Sequence, residues 1–196
     1  MKSRKAEIKR TTRETDISIR LDLDGQGKSR MHTGVGFLDH MFELLAKHSL
    51  IDIEINARGD LHVDDHHTTE DIGLALGQAL DRALADRAGI RRYGAAWIPM
   101  DEALAHAVID LGGRPYLVFH VATKRRKIKN FDLCLLEDFF RSFTIQGRMN
   151  LHLRQLYGSE PHHAYEAIFK ALARALREAV TRDERMHGIP SSKGVL

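Results

Sequence analysis

Cysteine is nearly absent: Cys134 is the only one among 196 residues. A single thiol excludes an intramolecular disulfide framework and fits a reducing, cytoplasmic setting. Long apolar runs are missing too, and none reaches the length of a membrane span. The opening MKSRKAEIKR is charged and lacks the apolar stretch of a secretory signal, so none is expected. Neither sign of charge prevails. The 30 basic and 27 acidic residues leave a net charge of +3, which does not suit a dedicated nucleic-acid binder. The basic run KRRKIKN (124–130) has no interleaved aromatics and reads as a solvated strand end or loop. The residue in excess is histidine, with 12 copies that cluster.

No low-complexity linker divides the chain, and a 43% hydrophobic content is enough for one sizeable core. Ile17, Ile19, Leu21 and Leu23 alternate with polar residues ahead of Asp24-Gly25, which predicts a strand entering a hairpin. Gly34 to Ser49 reads as a glycine-rich entry to a helix, and Ile51, Ile53 and Ile55 as a strand. Thr68 to Arg87 carries apolar residues at helical spacing and is followed by Gly89 as a stop. Strands are then expected over Ala103–Asp110 and Tyr116–Ala122, a helix over Asp132–Phe143, an extended segment over Met149–Leu156 and a long helix over Glu160–Thr181. Trp97 and Cys134 read as packing residues, and His106 and His120 as residues of strand faces.

The chain repeats itself. IRLDLDG (19–25) answers AVIDLGG (107–113) at an offset of 88, and LDHMFELL (38–45) answers LEDFFRSF (136–143) at 98. HHTTEDIGLALGQAL (66–80) answers HHAYEAIFKALARAL (162–176) at 96, the unequal offsets reflecting loop insertions. Each half runs strands, helix, strand, long helix. This predicts an α+β fold of two fused pseudo-symmetric repeats, about 1–92 and 93–196, each a sheet packed on helices in two layers within one compact domain.

The repeated HHxxE segment carries the chemistry. Successive helical side chains are about 100° apart, so His66 and Glu70 share a face while His67 points elsewhere. His162, Glu166 and His163 repeat that geometry. One HHxxE alone would read as a solvated helical turn. Two copies at equivalent places, with up to six ligands in two directions, suit a pair of metal ions. His40 and Asp138 occupy equivalent places one helix upstream, at separations of 26 and 24 residues from the following HHxxE. Imidazole and carboxylate without thiolate suit Mn, Fe or Zn, and a mixed N/O set with open positions points to a catalytic ion. The two motifs need not meet within one chain, and a neighbouring subunit could complete each site. Arg92, Arg114, Lys170 and Lys193, with Ser191, Ser192 and Gly194 of the PSSKG stretch, supply donors suited to a phosphate.

GVGFLDHM, HHTTEDIG, PMDEALA, DLGGRP, HHAYEAIFKALARALR and PSSKG together resemble the imidazoleglycerol-phosphate dehydratase family of histidine biosynthesis, in order from about Arg10 to Leu196. The resemblance implies dehydration of imidazole glycerol phosphate to imidazole acetol phosphate, with two manganese ions per active site. It implies as ligands His40, His66, His67, Glu70, His162, His163 and Glu166, with Asp138 at an eighth place. Many members have His there, within EHFF, whereas this chain has LEDFF; direct ligation, ligation through water and no ligation all stay open for Asp138. The substrate positions implied are Glu14, His48, Arg92, Arg114, Lys170, Ser192, Lys193 and the adjoining Gly194. The resemblance also implies a homo-oligomer of 24 subunits built from trimers, with sites at subunit interfaces.

The substrate's chemistry sets a demand. The proton to be lost sits beside no carbonyl, so direct abstraction is hard. Metals at both ring nitrogens would favour the imidazolate, which can expel the neighbouring hydroxyl before a base takes the proton. Glu14 is the expected acid/base, Glu102 its equivalent and weaker rival, and the ligands Glu70 and Glu166 further candidates for proton transfer. His62, Asp64 and Asp65 receive no role. A dinuclear metallohydrolase acting on a small phosphorylated substrate is the alternative reading, and a metal-storage protein would leave the basic residues without a purpose.

Overall fold

The computed structural model describes residues 3–123 and 126–196. Lys124 and Arg125, part of the KRRKIKN run, lie outside the described residues, as do Met1 and Lys2. The first half contains β1 (Lys5–Thr11), β2 (Thr15–Asp22), β3 (Ser29–His32), α1 (Gly36–Ser49), β4 (Asp52–Gly59) and α2 (His66–Leu84). The second contains β5 (Tyr93–Met100), β6 (Ala103–Asp110), β7 (Tyr116–His120), a short β8 (Lys127–Ile128) and β9 (Phe131–Asp132), then α3 (Leu135–Gly147), β10 (Asn150–Tyr157) and α4 (Pro161–Val180).

The two main sheets have the same plan. Their orders are β1-β2-β4-β3 and β5-β6-β10-β7, each with two antiparallel pairings and a final parallel one. The expected α+β class and duplicated architecture are therefore present. Period-two alternation turns Ile17, Ile19, Leu21, Ile53 and Ile55 inward from the first sheet, and Ala105, Ala107, Ile109, Leu151 and Leu153 inward from the second. The helices lie against these inner faces. A buried cluster of Phe42, Phe139, Phe140 and Phe169, with ring centroids 5.1–6.2 Å apart, joins the two halves in one core.

The hairpin expected at Asp24-Gly25 is elsewhere. β2 pairs with β1 through a turn at 12–14, and the chain after Asp24 instead crosses to β3, beside β4. Asp52 enforces the crossing, because its Oδ1 accepts from both Gln26 N and Lys28 N at 2.8 Å. The α3 helix starts three residues later than expected, since Asp132 closes the β8–β9 hairpin and accepts from Cys134 N. Trp97 and Cys134 are not core residues. Trp97 is 59% exposed and stacks on His106 at 4.2 Å, and Cys134 is exposed near Arg126.

The α1 helix packs on α4 and α2 packs on α3, so each close helix pair joins the two halves. Glycine makes the second pair close. A methyl group on Gly77 would come within 2.6 Å of the Phe143 carbonyl oxygen and 2.8 Å of Gly147 N, both backbone atoms of α3. In an exposed helix Gly→Ala would stabilise by about 0.5–1 kcal/mol. Here Gly77→Ala is expected to reverse that sign and destabilise by about 1–3 kcal/mol, because α3 must move. A fall in the thermal midpoint of roughly 2–4 °C per kcal/mol checks this.

Candidate metal and active site

The helix pairing decides which candidate ligands meet. His40 rises from α1, and His162 and Glu166 lie one turn apart on α4. His40 Nε2 and His162 Nε2 stand 3.0 and 3.1 Å from the same Glu166 Oε1. Among the described residues this is the one set of three candidate ligands whose atoms all lie within 4.8 Å of one another. The spacing fits an ion: two donors each about 2.1 Å from a common metal and at right angles are about 3.0 Å apart. Lys170, the next turn of α4, holds the other carboxylate oxygen at 2.5 Å. Burial raises the Glu166 pKa, but Lys170 and His40 outweigh it and leave the group at about 2. The site thus presents a carboxylate at any physiological pH.

The equivalent set in the other helix pair is looser. His66 Nε2 lies 3.6 Å from Glu70 on α2, while Asp138 of α3 stands 4.0 Å from Nδ1, on the opposite edge of the ring. In one chain these three groups do not converge on one point. Ser142 of α3 donates to Glu70 at 3.5 Å.

His67 and His163 turn away from these clusters, as the helical spacing predicts; the rings of His66 and His67 lie at 84°. His67 Nδ1 contacts the Asp60 carboxylate at 3.0 and 3.2 Å, with Glu14 at 3.9 Å. His163 Nδ1 contacts Glu102 at 2.8 Å, and Asp101 lies 3.7 Å from its Nε2. Both imidazoles have raised pKa values, through Asp60 and Glu102 respectively. Glu102 is held at about 2, first by His163 and then by the backbone of Glu160. Two of the residues left without a role find one in the backbone or beside it. Asp64 accepts from His66 N at 2.8 Å and closes the start of α2, and His62 lines the same cleft as Glu14. Asp65, raised by burial and by Asp64, borders a separate cleft beside His40 and His162.

The basic residues form two groups. His48, on α1, has its pKa lowered by burial and then by Lys170 and Arg174 of α4. Lys170 contacts Glu166 of the His40 cluster, His48 and Arg174 continue the group beside it, and Arg174 is the member that spacing did not reveal. The duplication could have, since Lys170 and Arg174 stand where α2 has Leu74 and Gln78, and His48 where α3 has Gln146. Gln78 donates to Gln146 at 3.2 Å, in the places that Arg174 and His48 occupy in the other helix pair. Arg92 belongs to the second group. It pairs with Asp110 at 2.6 and 3.0 Å and donates to the Pro190 carbonyl at 2.8 Å. This fastens the C-terminal segment, in which Ser191 accepts from Lys193 N and Gly194 N. Arg114, Ser192 and Lys193 are exposed. Among the described residues, no hydrogen bond or ion pair links this second group to Lys170 or to either ligand cluster.

Comparison with known proteins gives a consistent result. The sequence model described as imidazoleglycerol-phosphate dehydratase matches residues 33–176. The chain is similar to the imidazoleglycerol-phosphate dehydratases of Cereibacter sphaeroides, at 55% identity over 98% of this chain and 100% of that one, and of Acetivibrio thermocellus, at 50% over 98% and 99%. The crystal structure of the Staphylococcus aureus imidazoleglycerol-phosphate dehydratase superposes with a TM-score of 0.83 at 42% identity, covering 91% of this chain and 99% of that one.

Proposed function

This chain belongs to the imidazoleglycerol-phosphate dehydratase family, hydro-lyases of histidine biosynthesis, and from that premise we propose that it works with two manganese ions in sites completed between subunits. The observation that carries the reading is the convergence of His40, His162 and Glu166 on one point, with His48 and the cations of Lys170 and Arg174 alongside. Held by His40, His162 and Glu166 and by the Glu70 set, manganese would supply Lewis-acid chemistry that favours the deprotonated form of the substrate's ring. The chain's own residues supply the rest. The His40 cluster and the Glu70 set hold metal with nitrogen and oxygen donors. Lys170, His48 and Arg174 place a dianionic phosphate on the side of the His40 cluster, since the Leu74, Gln78 and Gln146 side offers it no charge. Glu14 is 54% exposed and its carboxylate has no hydrogen bond among the described residues, so it is available to take a proton. Lys170 lies within one turn of Glu166, which connects metal and phosphate sites through a single helix face.

A single chain leaves this site incomplete. His67 and His163 face away from the clusters, and Arg92, Arg114 and Lys193 lie apart from Lys170. We take a second copy of the chain to complete it, and the duplicated sheets indicate which surface the copies share. On the first sheet's outer face, Glu7, Arg20, Glu54 and Arg30 form a cross-strand row of alternating charge with contacts of 3.3–3.8 Å. The equivalent row of the second sheet is Ala95, Val108, His152 and Val118. Exposed Trp97, Tyr93 and Tyr116 flank it. The first face is finished for water, whereas the second is apolar where its twin is charged and so fits an interface between copies.

The test is an assay of ketone product from imidazole glycerol phosphate on metal-stripped protein, restored with single divalent ions. Manganese is expected to restore turnover. No product with any ion would end this reading, and phosphate release without ketone would point to a hydrolase. No helix among the described residues is long and apolar enough to cross a membrane.

A further inference from the structure

The two halves carry matching histidines, His67 and His163, each with a carboxylate on Nδ1, but the carboxylates come from different places. In the second half it is Glu102, the positional equivalent of Glu14 at the offset of 88. Both of its oxygens are engaged. Oε2 contacts His163 Nδ1 at 2.8 Å, and Oε1 accepts from Ser159 N and Glu160 N at 3.2 and 2.8 Å. Glu102 therefore fixes the start of α4 and the orientation of His163, and nothing of it is left for a substrate. In the first half the same task is done by Asp60, just beyond β4, at 3.0 Å from His67 Nδ1 and only 18% exposed. The second half has Leu156, Tyr157 and Gly158 around the corresponding place and no carboxylate. Glu14, relieved of that task, stands 3.9 Å from the ring with both oxygens unbonded among the described residues.

We propose that Asp60 is a positioning residue that fixes His67 with Nδ1 as donor and Nε2 as its metal-binding atom, and that by holding Nδ1 it keeps Glu14 free for proton transfer. The inference rests on the reading that His67 is a metal ligand. It explains why a duplicated protein does chemistry asymmetrically. A carboxylate on Nδ1–H selects one tautomer, aims the opposite nitrogen and raises its basicity. Each half has one such carboxylate, at non-equivalent places, Glu102 in one and Asp60 in the other; the first half alone keeps a second carboxylate, Glu14, on the Nδ1 side, whereas Asp101 of the second half lies on the Nε2 side of His163. If Asp60 is removed, Glu14 is the nearest replacement partner for Nδ1. Its capture would cost turnover although Glu14 itself is unchanged.

The test uses the assembled enzyme with manganese affinity, read from the free-ion paramagnetic signal, beside kcat and KM. Asp60→Ala is expected to weaken one class of manganese site by about 10–100-fold, the range for loss of an orienting partner. It should also lower kcat with little change in KM. Asp60→Asn keeps an oxygen acceptor and should recover most of the affinity, which also guards against a simple folding defect. Glu14→Gln should leave affinity unchanged, and should cost much less in kcat when added to Asp60→Ala than when made alone, because the two act as a unit. Wild-type affinity and kcat in Asp60→Ala would overturn the inference, as would an Asp60→Asn as weak as Asp60→Ala. A wild-type protein that binds no manganese would instead remove the reading beneath it.

Discussion

Replacing Glu14 by glutamine is expected to lower kcat by about 10²–10⁴-fold, the usual worth of a positioned acid or base, while leaving manganese binding intact. The expectation follows from how the carboxylates divide their work. Four of them stand near the His67 and His163 imidazoles. Asp60 and Glu102 are committed through hydrogen bonds of 2.8–3.2 Å, and Asp101, 70% exposed, lies 3.7 Å from the nitrogen that would face a metal. Glu166 is also committed, to His40, His162 and Lys170, and remains ionised down to about pH 2, too weak a base to accept a proton near neutrality. Glu14 is not committed in this way. It sits in the turn between β1 and β2, which Thr12 closes by accepting from Glu14 N and Thr15 N, so its position is set by backbone and its side chain is free. Single-turnover measurement with metal and substrate bound separates the chemical step from binding. Near-normal turnover would exclude Glu14 and leave Glu70, whose contacts are Ser142 at 3.5 Å and His66 at 3.6 Å, as the next candidate.

Much of this arrangement was legible in the sequence, for identifiable reasons. Helical periodicity alone separates His67 from His66 and Glu70, and the rings do diverge. Duplication marks His40 and Asp138 as equivalents, and both lie on helices beside an HHxxE motif. The partnership was not legible. Separations of 26 and 24 residues say nothing about which HHxxE a side chain meets, and it is the packing of α1 on α4 and α2 on α3 that sends His40 to His162 and Asp138 to His66. Asp60 was missed because it lies in a turn, outside any periodicity, and the repeat offers no copy of it. Three edge strands were missed as well, β1, β3 and β5. In β1 only Ala6 and Ile8 are apolar and buried, and β5 contains Gly94 and Pro99, which weaken a strand signal although an edge strand tolerates proline. Arg92 and Lys170 read from sequence as donors for a phosphate. The structure gives each a carboxylate partner, Asp110 and Glu166, so a substrate phosphate would have to share or displace it.

Val108→Arg is expected to break the assembly and, with it, the activity. The substitution gives the second sheet the residue that its twin carries at Arg20, a position where this architecture holds arginine without difficulty. The chain should therefore fold. What it lacks is the flanking pair: Arg20 has Glu7 and Glu54 beside it, whereas Val108 has Ala95 and His152. A guanidinium buried there against another copy would be unpaired, at a cost of about 3–5 kcal/mol per interface. That corresponds to a loss of roughly 10²–10⁴ in the association constant at each contact. On the proposed reading, in which His67, His163 and the Arg92 group reach a ligand cluster in a second copy, dissociation should remove turnover and weaken manganese binding together. Light scattering on a sizing column, with circular dichroism to confirm folding, reads the first effect. Glu54→Ala on the opposite sheet provides the control and should leave particle size unchanged, since its row is exposed and its ion pairs are worth little. A Val108→Arg protein that runs at wild-type size would show that the apolar sheet face is not where the copies meet.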